Sequence, residues 1–400
     1  MSGLPDRGGP LKGVRVLELT KVWAGPYAGK LLAHLGAEVI KVESATNLDE
    51  MRAYGGVDIN SAPYFLSINQ EVLSVQVNMK TAEGLDLVRQ MVAQSDIVID
   101  NIRPGAMERS QLDYEHLKAI KPDIIQLSIK MWGTDGPLGY QTGYAPCFAA
   151  LSGLTALVGH EGETPRGMNI RYGDSTAGAF AALAAVAALH HRESTGEGQF
   201  IDLSAVETMT SLVGDSLFAW SVTGEVPESD GNRHAEMAPH GAYPCKDGEW
   251  LSIAVASDAE WAALRGVLGL PDEPRFASLA DRLAQRRDLD AMLGQATAGR
   301  TAAALGEELR AAGVPAFRCQ SSLDLCGDDF LWSREAYRMV SDHRNGVRPI
   351  IGPAWRIEPD GPKVERGAPL LGEHNDYVYR EVLGMSQERL DDLLTRKVID

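Results

Sequence analysis

The chain has 400 residues, with 38 Lys or Arg against 55 Asp or Glu, for a formal net charge of −17. Hydrophobic residues make up 44% and charged residues 23%, a globular balance that excludes a disordered chain. The acidic excess argues against a nucleic-acid partner, whose backbone needs a basic face, but leaves room for a small anion held by a few local cations. At roughly 150 residues per domain, the length predicts two or three domains or one large domain with an insertion.

The opening residues carry no apolar signal region, and the longest alanine-leucine run, Ala177 to Leu189, is too short to span a bilayer, so no membrane partner is expected. Cys147, Cys245, Cys319 and Cys326 form no metal-like pair, and reduced thiols in a cytoplasmic enzyme are the expectation.

In chain order, Val14 to Leu19 reads as a strand, Pro26 to Leu35 as a helix stopped by Gly36, and Ala37 to Glu43 as a second strand. The alternation continues with a strand at Leu73 to Met79, a helix at Thr81 to Gln94 and a strand at Asp96 to Ile102. A helix at Tyr114 to Ile120 and a strand at Ile124 to Ile129 follow. Such alternation gives βαβ units and a mainly parallel sheet covered by helices. An alanine-rich helix is predicted from Asp174 to Glu193, a strand at Gln199 to Leu203 and a helix over Val206 to Trp220. Gly224 to Pro239 reads as a polar linker, Trp250 to Val255 as a strand, the stretch 258–312 as short helices and Gly313 to Ala316 as a turn. The tail predicts helices near Asp376 to Val382 and from Gln387. The fold class expected is α/β: a Rossmann-like large domain built from both chain ends, with a smaller α+β domain inserted. The boundaries are 1–225 for the large domain, 226–330 for the small one and 331–400 for a linker and the C-terminal return.

The first strand-to-helix turn, Thr20 to Pro26, offers free N–H groups to an anion but lacks the G-x-G-x-x-G of dinucleotide sites. Gly25 to Lys30 resembles a phosphate-binding loop one residue short, with Leu31 where a hydroxyl should follow, so nucleotide hydrolysis is not expected. No G-x-S-x-G, HExxH or CxxC occurs, and no metal is expected. In Tyr172-Gly173-Asp174-Ser175, the aspartate suits two roles: an N-cap of the alanine-rich helix, or a carboxylate nucleophile that needs no general base to be ionised.

The opening LKGVRVLELTKVWAGPYAGKLLAHLGAEVIKVE resembles that of the class III CoA-transferases, the formyl-CoA:oxalate and carnitine CoA-transferase family. The likeness continues through Asn101 to Gly105, Asp135 to Pro137, Gly143-Tyr144, Gly173-Asp174, Thr195 to Gln199 and APLLGEHNDYVYREVLG at 368–384, in family order over nearly the whole chain. The resemblance implies a Rossmann-like fold in an interlocked homodimer, or a heteromer with a sister subunit. It implies acyl-CoA and a carboxylic acid as substrates, with coenzyme A passing between them and no permanently bound cofactor.

It also implies that Asp174 attacks the donor thioester, giving a mixed anhydride and then an aspartyl-CoA thioester. By position it implies CoA contacts at Val22, Trp23, Ala24, Val77, Lys80, Asn101, Ile102 and Arg109, with Lys80 and Arg109 as phosphate partners. Three departures stand out: Ser44 and Val72-Leu73 replace basic residues common in the family, and Arg233 to Gly241 has no glycine run where the family carries a glycine-rich loop. Tyr172 to Asp174, Gly143 to Pro146 and Ala238 to Gly241 resemble the succinyl-CoA-dependent members, which implies an acyl-CoA donor such as succinyl-CoA and substituted dicarboxylic acids such as benzylsuccinate as acceptors.

The same fold hosts α-methylacyl-CoA racemases, which carry a histidine base directly after the glycine matching Gly143. This chain has Tyr144 there, and tyrosine, with a pKa near ~10, is a poor base at neutral pH. A third reading is a non-catalytic subunit of a heteromeric transferase, against which the presence of Asp174 weighs.

Overall fold

The computed structural model describes residues 4, 6–167, 170–342 and 346–399. The chain divides into two units, one comprising Met1–Thr155, Gly167–Pro227 and Leu331–Asp400, the other Ala156–Arg166 and Glu228–Phe330.

The first unit is built on six parallel strands: β1 (Arg15–Leu19), β2 (Glu38–Glu43), β3 (Leu73–Gln76), β4 (Ile97–Asp100), β5 (Ile125–Lys130) and β6 (Phe200–Ser204). Their spatial order is β3-β2-β1-β4-β5-β6. The strands are rich in buried apolar residues because both faces of the sheet are covered. Val16, Val39, Ile97, Ile99 and Leu127 belong to one core; Leu17, Ile40, Leu73, Val75 and Val98, which alternate with them, belong to the other. The first core lies under α1 (Ala24–Ala33) and the Ile170–Thr195 helix, the second under the helices Ala82–Ala93 and Tyr114–Ile120 and the C-terminal segment. That segment also covers the outer edge of the sheet: Gln76 N–H donates to Asn375 Oδ1 at 2.8 Å and Asn78 N–H to the Val398 carbonyl at 2.9 Å.

The Ile170–Thr195 helix has 26 residues, about 39 Å of rise, and is longer at its start than the sequence pattern predicts. Asp174 therefore lies inside it and is not its N-cap. Ala177, Ala181, Ala185 and Ala188 are buried, and a Cβ at Gly178 would stand 2.7 Å from the Ala24 carbonyl oxygen, so small residues let this helix lie directly on α1. By length and composition Arg171–Thr195 could cross a membrane, but half of its apolar window is buried inside the protein.

The helix expected over Val206 to Trp220 is broken into Ala205–Thr210, a tight turn at Ser211–Val213 and Gly214–Thr223. Thr208, Thr210 and Ser211 hydroxyls donate to carbonyls three or four residues back, and Gly214 follows.

The second unit has an antiparallel sheet of β7 (His240–Pro244), β8 (Trp250–Ala254) and β9 (Ala316–Arg318), backed by Asp258–Leu268, Arg286–Thr297 and Ala302–Ala311. Its core is separate, built on Leu251, Ile253, Trp261, Leu264, Leu289 and Leu305. Arg282, fully buried there, donates to the carbonyls of Ala238 (2.8 Å) and Phe276 (3.2 Å) and to Asp258 (2.9 Å). β7 and β9 were not legible in the sequence, because Gly241, Pro244 and Pro315 break the strand pattern. The antiparallel pair β10 (Tyr337–Asp342) and β11 (Gly346–Ile351) belongs to the first unit and has no counterpart in the sequence reading.

Candidate active site

Connections leave β1 and β4 toward opposite faces of the sheet, and such a switch point leaves a crevice at the carboxyl ends of the strands. Here the ends of β1, β4 and β5 open onto a cavity of about 760 Å³, within the size range of cofactor and substrate pockets. Its walls include Lys21, Val22 and Ala24 after β1; Asn101, Ile102, Arg103 and Arg109 after β4; Lys130 and Met131 at the end of β5; Gly143, Tyr144, Cys147 and Phe148; and Asp174.

The wall after β1 is held by buried charge. Glu18 and Lys41 face each other across β1 and β2, and Lys41 Nζ lies 3.0 Å from Glu18 Oε1, 3.0 Å from Asp49 Oδ2 and 3.0 Å from the Thr20 carbonyl oxygen. All three ionised side chains are buried. Burial opposes the charge on Lys41, yet Glu18 and Asp49 beside it hold its pKa above the ordinary lysine value. The other carboxylate oxygen of Asp49 accepts from Val22 N–H at 2.9 Å, and Asn101 pairs with Lys21 on both sides, accepting its N–H at 2.8 Å and donating to its carbonyl at 2.7 Å. Val22 has φ +66°, a conformation that strains a β-branched residue by about 1–3 kcal/mol and persists only where its surroundings impose it. Beyond it, Trp23 turns inward, packs edge-on to Tyr64, and its indole N–H donates to Ser175 Oγ at 3.0 Å.

On the opposite wall Asp174 is 6% exposed, and its Oδ2 has no hydrogen-bond partner among the described residues. Burial alone pushes its pKa from 3.8 up to about 7. The sequence reading took this carboxylate as one ionised without help at neutral pH; burial works against that, and Asp174, a turn into its helix, lies beyond the reach of the dipole's positive end. A carboxylate with few donors around it is in general a better nucleophile than a fully solvated one.

Cations gather around the rest of the cavity. Lys130 pairs with buried Asp100 and donates to the Ile102 carbonyl at 2.8 Å, while Lys21 donates to Asn47 (2.7 Å) and the Leu48 carbonyl (2.9 Å). Arg103 and Arg109 are exposed, and neither guanidinium has an acidic partner among the described residues. Two free guanidiniums at the edge of a cavity suit phosphate groups, which they can bind bidentately.

Of the site residues expected from sequence, Val22, Ala24, Asn101, Ile102, Arg109 and Asp174 line this one cavity. Trp23 is buried behind the wall, Val77 is buried in the second core, and Lys80 is exposed; these three do not line it. Ser44, Val72 and Leu73 are likewise buried. Lys30, the end of the phosphate-loop lookalike, points into the protein and donates to the Ser67 carbonyl at 2.9 Å. Sequence reasoning missed Arg103, although it sits within the Asn101 to Gly105 block, and missed Cys147 and Phe148, whose helix no pattern announces.

The family model for CoA-transferase family III matches residues 11–375. A succinyl-CoA–D-citramalate CoA-transferase of Chloroflexus aurantiacus is 33% identical over 396 residues, covering 98% of each chain. The beta subunit of a succinyl-CoA–L-malate CoA-transferase of the same organism is 30% identical over 403 residues, also covering 98% of each. Among solved structures, a CAIB/BAIF family protein from Brucella suis superposes with a TM-score of 0.88 at 32% identity, over 94% of this chain and 100% of its own. With a parallel α/β sheet and end-to-end relatives of one kind, the chain belongs to CoA-transferase family III and is an enzyme of that class, whose substrates are CoA thioesters.

Proposed function

We propose that this enzyme moves CoA from succinyl-CoA to a dicarboxylic acid, with Asp174 as the covalent relay. The observation that carries the reading is the Asp174 carboxyl itself, buried on the wall of a cavity edged by free guanidiniums, with one oxygen unpartnered. Its carboxylate attacks the thioester carbonyl, the C–S bond breaks, and an acyl-aspartyl anhydride and CoA thiolate result. The thiolate then attacks the aspartyl carbonyl, releasing the donor as its carboxylate and leaving an aspartyl-CoA thioester. The acceptor carboxylate attacks that thioester to form a second anhydride, and the thiolate attacks the acceptor's acyl carbon, freeing Asp174. One thioester is exchanged for another, so the equilibrium stays near balance and no proton is gained or lost overall.

Val22, Ala24, Asn101, Ile102 and Arg109 form the CoA side of the cavity in this reading, and Arg103 joins Arg109 as a phosphate partner. The relatives' names carry citramalate and malate, both dicarboxylic acids, which favours that acceptor class over a monocarboxylate.

The partner proposed is a second copy of the chain in an interlocked dimer. It is supported by the Gly214–Thr223 helix, which carries Leu217, Phe218, Trp220 and Val222 with more than half of each exposed. Light scattering on the purified chain distinguishes a homodimer from a monomer awaiting a sister subunit.

The decisive experiment is peptide-mapped mass spectrometry after brief exposure to succinyl-CoA alone. A CoA-thioester or acyl adduct on the peptide holding Asp174, discharged by malate or citramalate and missing in Asp174→Ala, is the expected result. Transfer without any adduct, or full activity in Asp174→Ala, rejects the covalent relay.

A further inference from the structure

The CoA-transferase reading counts Asn101 among the CoA contacts, but its side chain is already engaged. One donor and one acceptor of its amide close a two-bond ring with the backbone of Lys21, at 2.7 and 2.8 Å, as a neighbouring strand would. The next residue is Val22, the β-branched residue at φ +66°, whose own N–H is taken by Asp49 at 2.9 Å. Asn101 follows β4, and Asp49 follows β2, anchored by Lys41. The turn after β1 is thus held from two sides by elements that are not its neighbours in sequence.

Packing makes the grip specific. A Cβ on Gly25 would lie 2.6 Å from the Thr20 side chain and 3.0 Å from Asn101 Cγ, so only glycine leaves room for the amide. What the turn controls is visible on its far side, where Trp23 leaves it to hydrogen bond with Ser175, next to Asp174. Val22 lines the cavity and the next residue, Trp23, is buried and bonded to Ser175, so one backbone conformation sets both.

We infer that Asn101 is a positioning residue: together with Asp49 it forces the Lys21–Val22 segment into a strained left-handed turn that shapes the cavity wall facing Asp174. Although it sits on the CoA side of the cavity, its side-chain amide acts on the reaction through the turn, being committed to the Lys21 backbone and not to CoA. The inference rests on this cavity being the acyl-CoA site.

Relief of strain provides the test. Glycine adopts φ +66° without penalty, so the clamp is needed only while residue 22 carries a Cβ. Asn101→Ala is expected to lower kcat/KM about tenfold or more, and adding Val22→Gly to recover most of that loss. A loss that Val22→Gly does not recover, carried as a raised KM for acyl-CoA, makes Asn101 a direct ligand contact and overturns the inference; so does an Asn101→Ala variant with unchanged kinetics. Amide hydrogen exchange on the unmodified protein, resolved across residues 19–25, keeps the question open to test if Asn101→Ala does not fold. The clamp requires the Lys21 and Val22 amides to be protected without ligand although they lie outside helix and strand; rapid exchange at both overturns it. Neither exchange nor rescue depends on the covalent relay, whose failure shows separately as activity in Asp174→Ala.

Discussion

The two sides of the cavity bury charge to a similar degree and put it to opposite uses. On the β1 side, Glu18, Lys41 and Asp49 are buried, and both carboxylates pair with the one lysine. On the helix side, Asp174 is nearly as buried, yet among the described residues no cation pairs with it and its Oδ2 has no partner. Desolvation costs are similar for each ionised group, but only the first set recovers them through pairing. Paired burial holds a charge in place, and unpaired burial works against one. The pKa directions record the difference: Lys41 is held charged, whereas Asp174 is pushed up to about 7.

The largest effect belongs to the unpaired side. Asp174→Ala is expected to abolish transfer, by on the order of 10⁴-fold or more in kcat, as loss of a covalent nucleophile does elsewhere. Chromatographic assay of the acceptor CoA ester measures it, and residual activity within tenfold of the parent would break the comparison.

The paired side should answer in stability. Lys41→Met leaves Glu18 and Asp49 buried without their cation and should destabilise the first unit by about 3–5 kcal/mol, read from the urea midpoint. A change below about 1 kcal/mol would mean that water or relaxation already satisfies those carboxylates.

Asp174→Asn sharpens the contrast by separating charge from shape. The folded pKa lies above the ordinary 3.8, so the contribution of the neutral carboxyl to stability is fully present below pH 3.8 and lost as pH rises through about 7. A rise from 3.8 to about 7 sets a ceiling of about 4 kcal/mol on that loss. Asparagine has no charge to bury, so the variant should melt above the parent at pH 8 and close to it at pH 4. Calorimetry across that range tests the sign; a variant that melts lower at pH 8 would show that the carboxylate is compensated after all. In the parent, kcat/KM should rise with pH up to about 7 and then level off, because only the carboxylate attacks.

The smallest effects should come from the cavity's edge. Arg103→Ala and Arg109→Ala should each raise KM for the acyl-CoA about tenfold with little change in kcat, since exposed guanidiniums that hold phosphates bind substrate and transition state alike. Lys80→Ala serves as a control and should leave KM within about twofold of the parent, because Lys80 does not line this cavity.

Much of the first unit was legible from residue order. The strands β1 to β6 fall within one to three residues of their sequence-read bounds, because buried parallel strands are rich in apolar residues and their helices are apolar on one face. The block pattern from Leu11 to Gly384 carried the family and pointed to Asp174. The second unit was less legible, since short strands holding Gly241, Pro244 and Pro315 look like loops until a neighbouring strand pairs with them.

What tertiary structure alone decided is the environment of each named residue. In sequence, Asp174 could equally have been an N-cap, and only the placement of its helix against α1 shows a buried carboxyl inside the helix. Asn101 and Val77 have the same standing as motif positions, but one lies on the cavity wall and the other in a core. Local sequence specifies periodicity and turn chemistry because those depend on neighbours along the chain. Burial, pairing and pKa depend on neighbours across it, and these arrive only when β1, β2, β4 and the Ile170–Thr195 helix meet.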